Sequence, residues 1–192
     1  MKALALFFLV SLKMSFAYGQ VYPILTDQLV RPSELQPRKN FIMYEVGDIQ
    51  LFNSDDKEGK YFYILDKKSG NKIFEYDQRE IKARRFSPRF FKSVDNDEII
   101  ILVVSLEGDY SWGVHIFIIE NAMVSHPGFL PYGVDNFNFA SLGLHGQFEQ
   151  HNDWFIMFFE EDARLINYES DELILGKDIE FKVEKDRISR IK

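Results

Sequence analysis

Three features of the sequence predict an all-β fold. From residue 41 onward, short apolar runs alternate with turn signals. Phe and Tyr are abundant, 19 and 9 among 192 residues, and aromatic side chains suit half-buried pleated surfaces. No strand–helix–strand alternation of the kind that builds a parallel sheet is present. The runs pair as hairpins, which predicts antiparallel sheets in a sandwich or a partly closed barrel, with one short helix near residues 78–85.

The chain opens MKALALFFLVSLKMSFAYGQ. Lys2 precedes residues 3–12, apolar but for Ser11, and small residues stand at two cleavage positions, Ser15-Phe16-Ala17 and Ala17-Tyr18-Gly19. That is the layout of a secretory leader. The run is too short to span a bilayer, which needs about 20 residues. Residues 1–19 are therefore expected to be removed on export. The mature chain is expected to be soluble, periplasmic or extracellular, with no transmembrane segment. Residues 20–40 contain Pro23, Pro32 and Pro37; proline fixes φ and lacks a donor, so they read as an extended arm leading into a single β-rich domain over 41–192.

Within that domain FIMYEV and IQLFN flank Gly47-Asp48. KYFYILD and KIFEYD flank KKSGN, where Gly70 or Asn71 supplies the positive φ of a hairpin loop. EIIILVVSL and YSWGVHIFIIE flank Glu107-Gly108-Asp109, LGLHGQFEQ and WFIMFFEE flank His151-Asn152-Asp153, and DIEFKVEKD and RISRI close the chain. EIIILVVSL is apolar on both faces and is placed centrally, covered on each side; WFIMFFEE reads the same way. One stretch departs from this pattern. In DQREIKARRFSPRFF, Asp77 and Glu80 have the spacing of a capping box, which predicts the helix over 78–85, ended by Ser87-Pro88. Residues 122–139 read as a turn-rich loop with at most one edge strand. Its Phe129, Tyr132, Phe137 and Phe139 either cover the core or form a binding surface.

Composition excludes several functions. The net charge is −7, and the leader carries two lysines and no acid, so the mature chain is more acidic still. An acidic chain is a poor partner for nucleic acid or an anionic membrane. Cysteine is absent, which rules out thiolate zinc clusters, cysteine nucleophiles, CxxC redox motifs and a lipid-anchored cysteine. A mature chain of this size buries about 70% of its unfolded surface and needs no disulfide.

The histidines and carboxylates are weighed next. In LGLHGQFEQHND, strand geometry puts Leu142, Leu144, Gly146 and Phe148 on one face and His145, Gln147, Glu149 and His151 on the other. At about 3.3 Å per residue, His145 and His151 lie roughly 20 Å apart, which leaves only Glu149 and His151 able to share an ion. The stretch is read as a solvated face, and no metal or other cofactor is expected. His115 shares its face with Phe117 and Ile119 and reads as a hydrogen-bonded residue at the core edge. His126, before Pro127-Gly128, reads as a loop residue. Ser125, His126 and an acid supply the residue types of a triad, but triads are recognised by geometry. GxSxG, P-loop, HExxH and GxGxxG motifs are absent from the sequence. Residues 160–162 and 171–172 offer carboxylates for glycoside chemistry or serve as turn residues. DNDE at 95–98 lacks the ligand order of a calcium loop.

REIKARRFSPRFFK, residues 79–92, holds six basic residues against Glu80 alone. Arg84, Arg85 and Arg89 are the candidate contacts for an anion or a partner, because the guanidinium fork matches carboxylate, sulfate and phosphate groups. The alternative is a solvated helix face that balances an acidic surface, with the phenylalanines in the core. The expected function is that of an exported, non-enzymatic binding protein for another protein, a glycan or a small ligand. The competing expectation is a small extracytoplasmic hydrolase that uses scattered Glu, Asp and His residues, with Glu149, His115 and His126 required to converge in one cleft.

Overall fold

The computed structural model describes residues 20–24, 41–56, 59–77, 85–93, 98–107, 111–135 and 142–192. In chain order these form β1 (Gln20–Ile24), β2 (Phe41–Val46), β3 (Ile49–Asp56), β4 (Gly59–Asp66), β5 (Lys72–Asp77), β6 (Arg85–Ser93), β7 (Ile99–Glu107), β8 (Ser111–Glu120), β9 (Met123–Leu130) and β10 (Tyr132–Val134). A helical turn, α1 (Leu142–His145), leads into β11 (Gly146–His151), β12 (Trp154–Phe159), β13 (Arg164–Asn167), β14 (Glu172–Leu175), β15 (Glu180–Val183) and β16 (Ile188–Arg190). The fold is all-β and sandwich-like, and its described residues form three antiparallel sheets in the orders β16-β15-β12-β11-β1-β6-β7-β8-β9, β10-β13-β14 and β2-β3-β4-β5.

The hairpins close where the sequence has residues that tolerate positive φ. Gly47 (φ 58°) and Gly70 (φ 68°) turn β2 into β3 and β4 into β5. At the second turn, the Asp66 carboxylate accepts hydrogen bonds from the backbone N–H of Lys68 and Ser69 and from the Ser69 hydroxyl. Those bonds favour the ionised form and hold Asp66 below the usual carboxylate range. Asn121 and Ala122, at φ 51° and 58°, form the two-residue turn between β8 and β9.

The β7 strand, EIIILVVSL in the sequence, is covered on both faces as its composition predicts. Ile101 and Val103 join one core cluster with Val114, Ile116 and Ile118 of β8. Ile100, Leu102 and Val104 join a second with Phe117 and Ile119, sealed by Val46, Leu51, Phe62 and Ile64 of the four-stranded sheet. The first cluster is closed differently. The nine-stranded sheet coils so that Phe148, Phe155, Met157 and Phe181 of its other half pack against Ile101 and Val103. Tyr132, Val134, Leu165 and Ile174 of the three-stranded sheet complete this cluster. The edge strands β9 and β16 come close, with Ile188 Cδ1 3.8 Å from a Cβ built on Gly128, but they share no ladder, so the barrel stays open.

Several elements differ from expectation. Arg85–Ser93 is a strand in the interior of the large sheet, and Ser87-Pro88 lies within it; residues 78–84 of the expected helix fall outside the described residues. Pro88 is tolerated because β1 pairs only with Phe90 to Ser93, so at Pro88 the described ladder lies on the β7 side alone. The start of the expected arm is β1, which pairs with both β6 and β11 and joins the two halves of the sheet; the rest of the arm lies outside the described residues. Residues 142–145 are a helical turn, not strand. In β12 only Phe155, Met157 and Phe159 are buried; Trp154, Ile156 and Phe158 are partly exposed, so this strand is covered on one face. The expected loop over 122–139 is mostly β9 and β10. Beyond Asp162, RLIN and ELIL form the β13–β14 hairpin. Among the described residues no helix is long and apolar enough to cross a membrane.

Candidate functional site

Two polar residues are buried among the described ones, Ser105 and His115. They stand nearly back to back on the β7–β8 hairpin. Ser105 lies opposite Val114, His115's neighbour in the chain, and the two side chains point to opposite faces.

His115 meets the second cluster. Its Nδ1 is 3.1 Å from His126 Nε2, and its Nε2 is 3.4 Å from the Tyr76 hydroxyl. Phe117 stacks on His126 at 4.5 Å with an 18° interplanar angle, and Phe129 lies against His115 at 4.8 Å. A bulge makes this assembly. Ile116 pairs with Gly128 and Ile118 with Ser125, so His126 and Pro127 together oppose Phe117. The extra residue breaks the period-2 alternation and puts both His126 and Phe129 on the His115 face.

Burial first, then the nearness of His126, pushes His115 down to about 4. His126 is lowered by burial, opposed by a backbone hydrogen bond with Gly128. A bond that favours the charged ring is one in which the ring donates, so Gly128 contributes its carbonyl. The Tyr76 hydroxyl, His115 and His126 thus form a chain of hydrogen bonds, with burial favouring the neutral rings. Neither histidine has a carboxylate in ion-pair contact among the described residues. Ser125 donates its hydroxyl to the Ile118 carbonyl at 3.3 Å, so Ser125 and His126 do not form the nucleophile–base pair of a triad.

The other sequence candidates lie apart from this pair. From Gly146 onward the predicted alternation holds, with Gly146 and Phe148 buried and Gln147 exposed. Glu149 and His151 approach to 3.1 Å, and His151 stacks on Trp154 at 4.4 Å beneath Lys182, whose Nζ is 4.8 Å from the indole. His145 sits on α1 and contacts Glu160 at 3.0 Å. Among the described residues no three His, Asp or Glu side chains are grouped to hold a metal ion. Residues 95–97, Phe137 and Phe139 lie outside the described residues.

Of the arginines, Arg84 lies outside the described residues, and Arg85 opens β6 opposite Glu107. Arg89 stands opposite Val103, on the face that carries Phe91 and looks into the first cluster. It is partly buried, and burial alone lowers its guanidinium from the ordinary value. Among the described residues no carboxylate pairs with it. Ser105 is opposite Ser87, two positions along β6 from Arg89. It is fully buried, and among the described residues its hydroxyl has no hydrogen-bond partner.

Sequence reading missed Tyr76 and Ser105. The signal for Ser105 was present, since it is the first polar residue after six apolar ones in IIILVVS. Compared with family models, with curated proteins and with solved structures, the chain matches none.

Proposed function

We propose that the chain is an exported β-domain that acts by binding, without chemistry of its own. One observation carries this reading: among the described residues the four histidines stand in three separate places, and no two of those places meet in one site. His115–His126, Glu149–His151 and His145–Glu160 occupy three different places. Glu149 stands on β11, with β1, β6 and β7 lying between it and the histidine pair on β8 and β9. Acid–base catalysis requires two groups with different proton affinities at one substrate. Export is supported by the leader-like opening over residues 1–19.

The test pairs an activity panel with a binding measurement. Chromogenic ester, glycoside and phosphate substrates are expected to show no turnover above that of a His115→Gln/Glu149→Gln variant. Turnover that this variant abolishes would overturn the reading. Retention on a sulfated-polysaccharide column is expected to be salt-sensitive and weakened by joint Arg84→Ala, Arg85→Ala and Arg89→Ala changes. Retention unchanged in elution salt would remove these arginines from the binding surface. Mass spectrometry of the protein exported by a secreting host is expected to give a chain beginning at Gln20.

A further inference from the structure

We propose that Arg89 and Ser105 form a binding site for a single oxyanion, the carboxylate or phosphate group of a small ligand. This rests on the binding reading above and assigns it a ligand chemistry.

Register places the two residues together. In the β6–β7 ladder Arg89 opposes Val103 and Ser87 opposes Ser105, so Arg89 and Ser105 are diagonal neighbours on one face. Such neighbours are roughly 7–8 Å apart, within reach of a long side chain. Their rows continue into apolar strand, Val103 into Ile116 and Ser105 into Val114, all fully buried. Arg89 thus borders an apolar row of the sheet, with no carboxylate paired to it among the described residues.

Each residue alone is anomalous. A buried hydroxyl without a partner is disfavoured by its full desolvation penalty, and nearly all buried polar groups in folded proteins are paired. A partly buried charge is ordinarily matched by a counter-charge. Lys67 with Glu45, Arg164 with Asp135 and Arg187 with Glu184 show this chain doing so at its surface. A buried water would satisfy the hydroxyl and leave the charge uncompensated. An oxyanion answers both, accepting from the guanidinium fork and from the Ser105 O–H. Arg89 keeps part of its surface in solvent, and the ion approaches from that side; the Ser105 hydroxyl is closed to solvent in the free chain, so its contact forms only as the ion enters.

The full chain, purified after export, is heated at fixed ionic strength while chloride is replaced stepwise by inorganic phosphate, acetate or octanoate. At least one oxyanion is expected to raise Tm by several degrees beyond chloride, because a ligand bound only to the folded state stabilises it by mass action. Ser105→Ala is expected to shift the midpoint of that rise at least tenfold to higher concentration, and Arg89→Gln to abolish it. Arg89→Lys, which keeps the charge and loses the fork, should fall between them. A stronger response to phosphate identifies a phosphate ligand; a stronger response to octanoate than to acetate identifies a carboxylate with an apolar tail. The site is overturned if no oxyanion raises Tm, or if the rise is equal in the parent and in Ser105→Ala. Ser105→Ala leaves the surface arginines in place. Column retention that persists beside a null oxyanion result therefore removes this site and leaves the binding reading standing.

Discussion

The β7–β8 hairpin buries a polar residue on each face, and the two faces treat it differently. Beneath the four-stranded sheet, His115 is 6% exposed and both ring nitrogens are engaged, one by His126 and one by Tyr76. Inside the coiled half of the large sheet, Ser105 is fully buried and, among the described residues, has no hydrogen-bond partner and lies diagonal to an arginine with no counter-charge. Hydrogen bonding makes the difference. A satisfied polar network in low dielectric rigidifies the core around it and needs no ligand to account for it. An unsatisfied hydroxyl beside an unmatched cation is the arrangement that a ligand completes. Burial alone does not distinguish structure from site; the partner count does.

The largest effect that can break this comparison lies on the histidine face. Phe117 is fully buried, stacks on His126 and presents edges to Phe62, Phe74 and Tyr76. Phe117→Ala is expected to cost about 3–5 kcal/mol, the usual range for a buried aromatic, measured by urea unfolding. A loss below about 1 kcal/mol would mean that the histidine pair is not packed into a core.

Next comes pH. His115 is held near 4 in the folded chain and returns to about 6.5 when unfolded. Between those values the unfolded state binds the extra proton, so stability rises with pH there. Folding free energy should therefore be level above about pH 6.5 and fall as pH drops toward 4, by roughly 3 kcal/mol from this residue. Lowered by burial, His126 adds in the same direction. His115→Gln should flatten most of the slope in unfolding curves taken across that window; an unchanged slope would assign it to other groups. A smaller effect is expected from Tyr76→Phe, which removes one hydrogen bond and should cost about 1 kcal/mol. Its clearer signature is in NMR, where the His115 ring should titrate at an altered pH.

How much of this was legible in the sequence follows the same physical lines. β7 could be placed because apolar residues at both parities require two covers, and the turns at Gly47 and Gly70 because positive φ is costly for most residues. Prolines misled. Pro23 lies in β1, Pro88 in β6 and Pro127 in β9, each within a strand that the sequence presents as arm, helix end or loop. Pro88 stands where the described ladder is one-sided and Pro127 sits at a bulge; these are the local exceptions that admit a residue without an N–H. The bulge also hid the histidine pair. Strict alternation puts His126 and Phe129 on opposite faces, and only the extra residue opposite Phe117 brings both to His115. Arg89 was singled out for its charge, but its setting was read as a solvated helix face. Its lack of a counter-charge among the described residues and its nearness to Ser105 depend on the β6–β7 register, which charge patterning does not encode.

The most direct test of the comparison is the stability of Ser105→Ala in chloride buffer with no oxyanion added, measured by urea unfolding against the parent chain. Removing a hydroxyl that has a partner costs about 1–3 kcal/mol by orphaning that partner, whereas removing one that has none is close to neutral or stabilising. The account predicts a variant as stable as the parent, or more stable by up to about 1 kcal/mol. A loss of 1 kcal/mol or more would show that the Ser105 hydroxyl already has its partner in the folded chain, and the two faces of the hairpin would then be built alike.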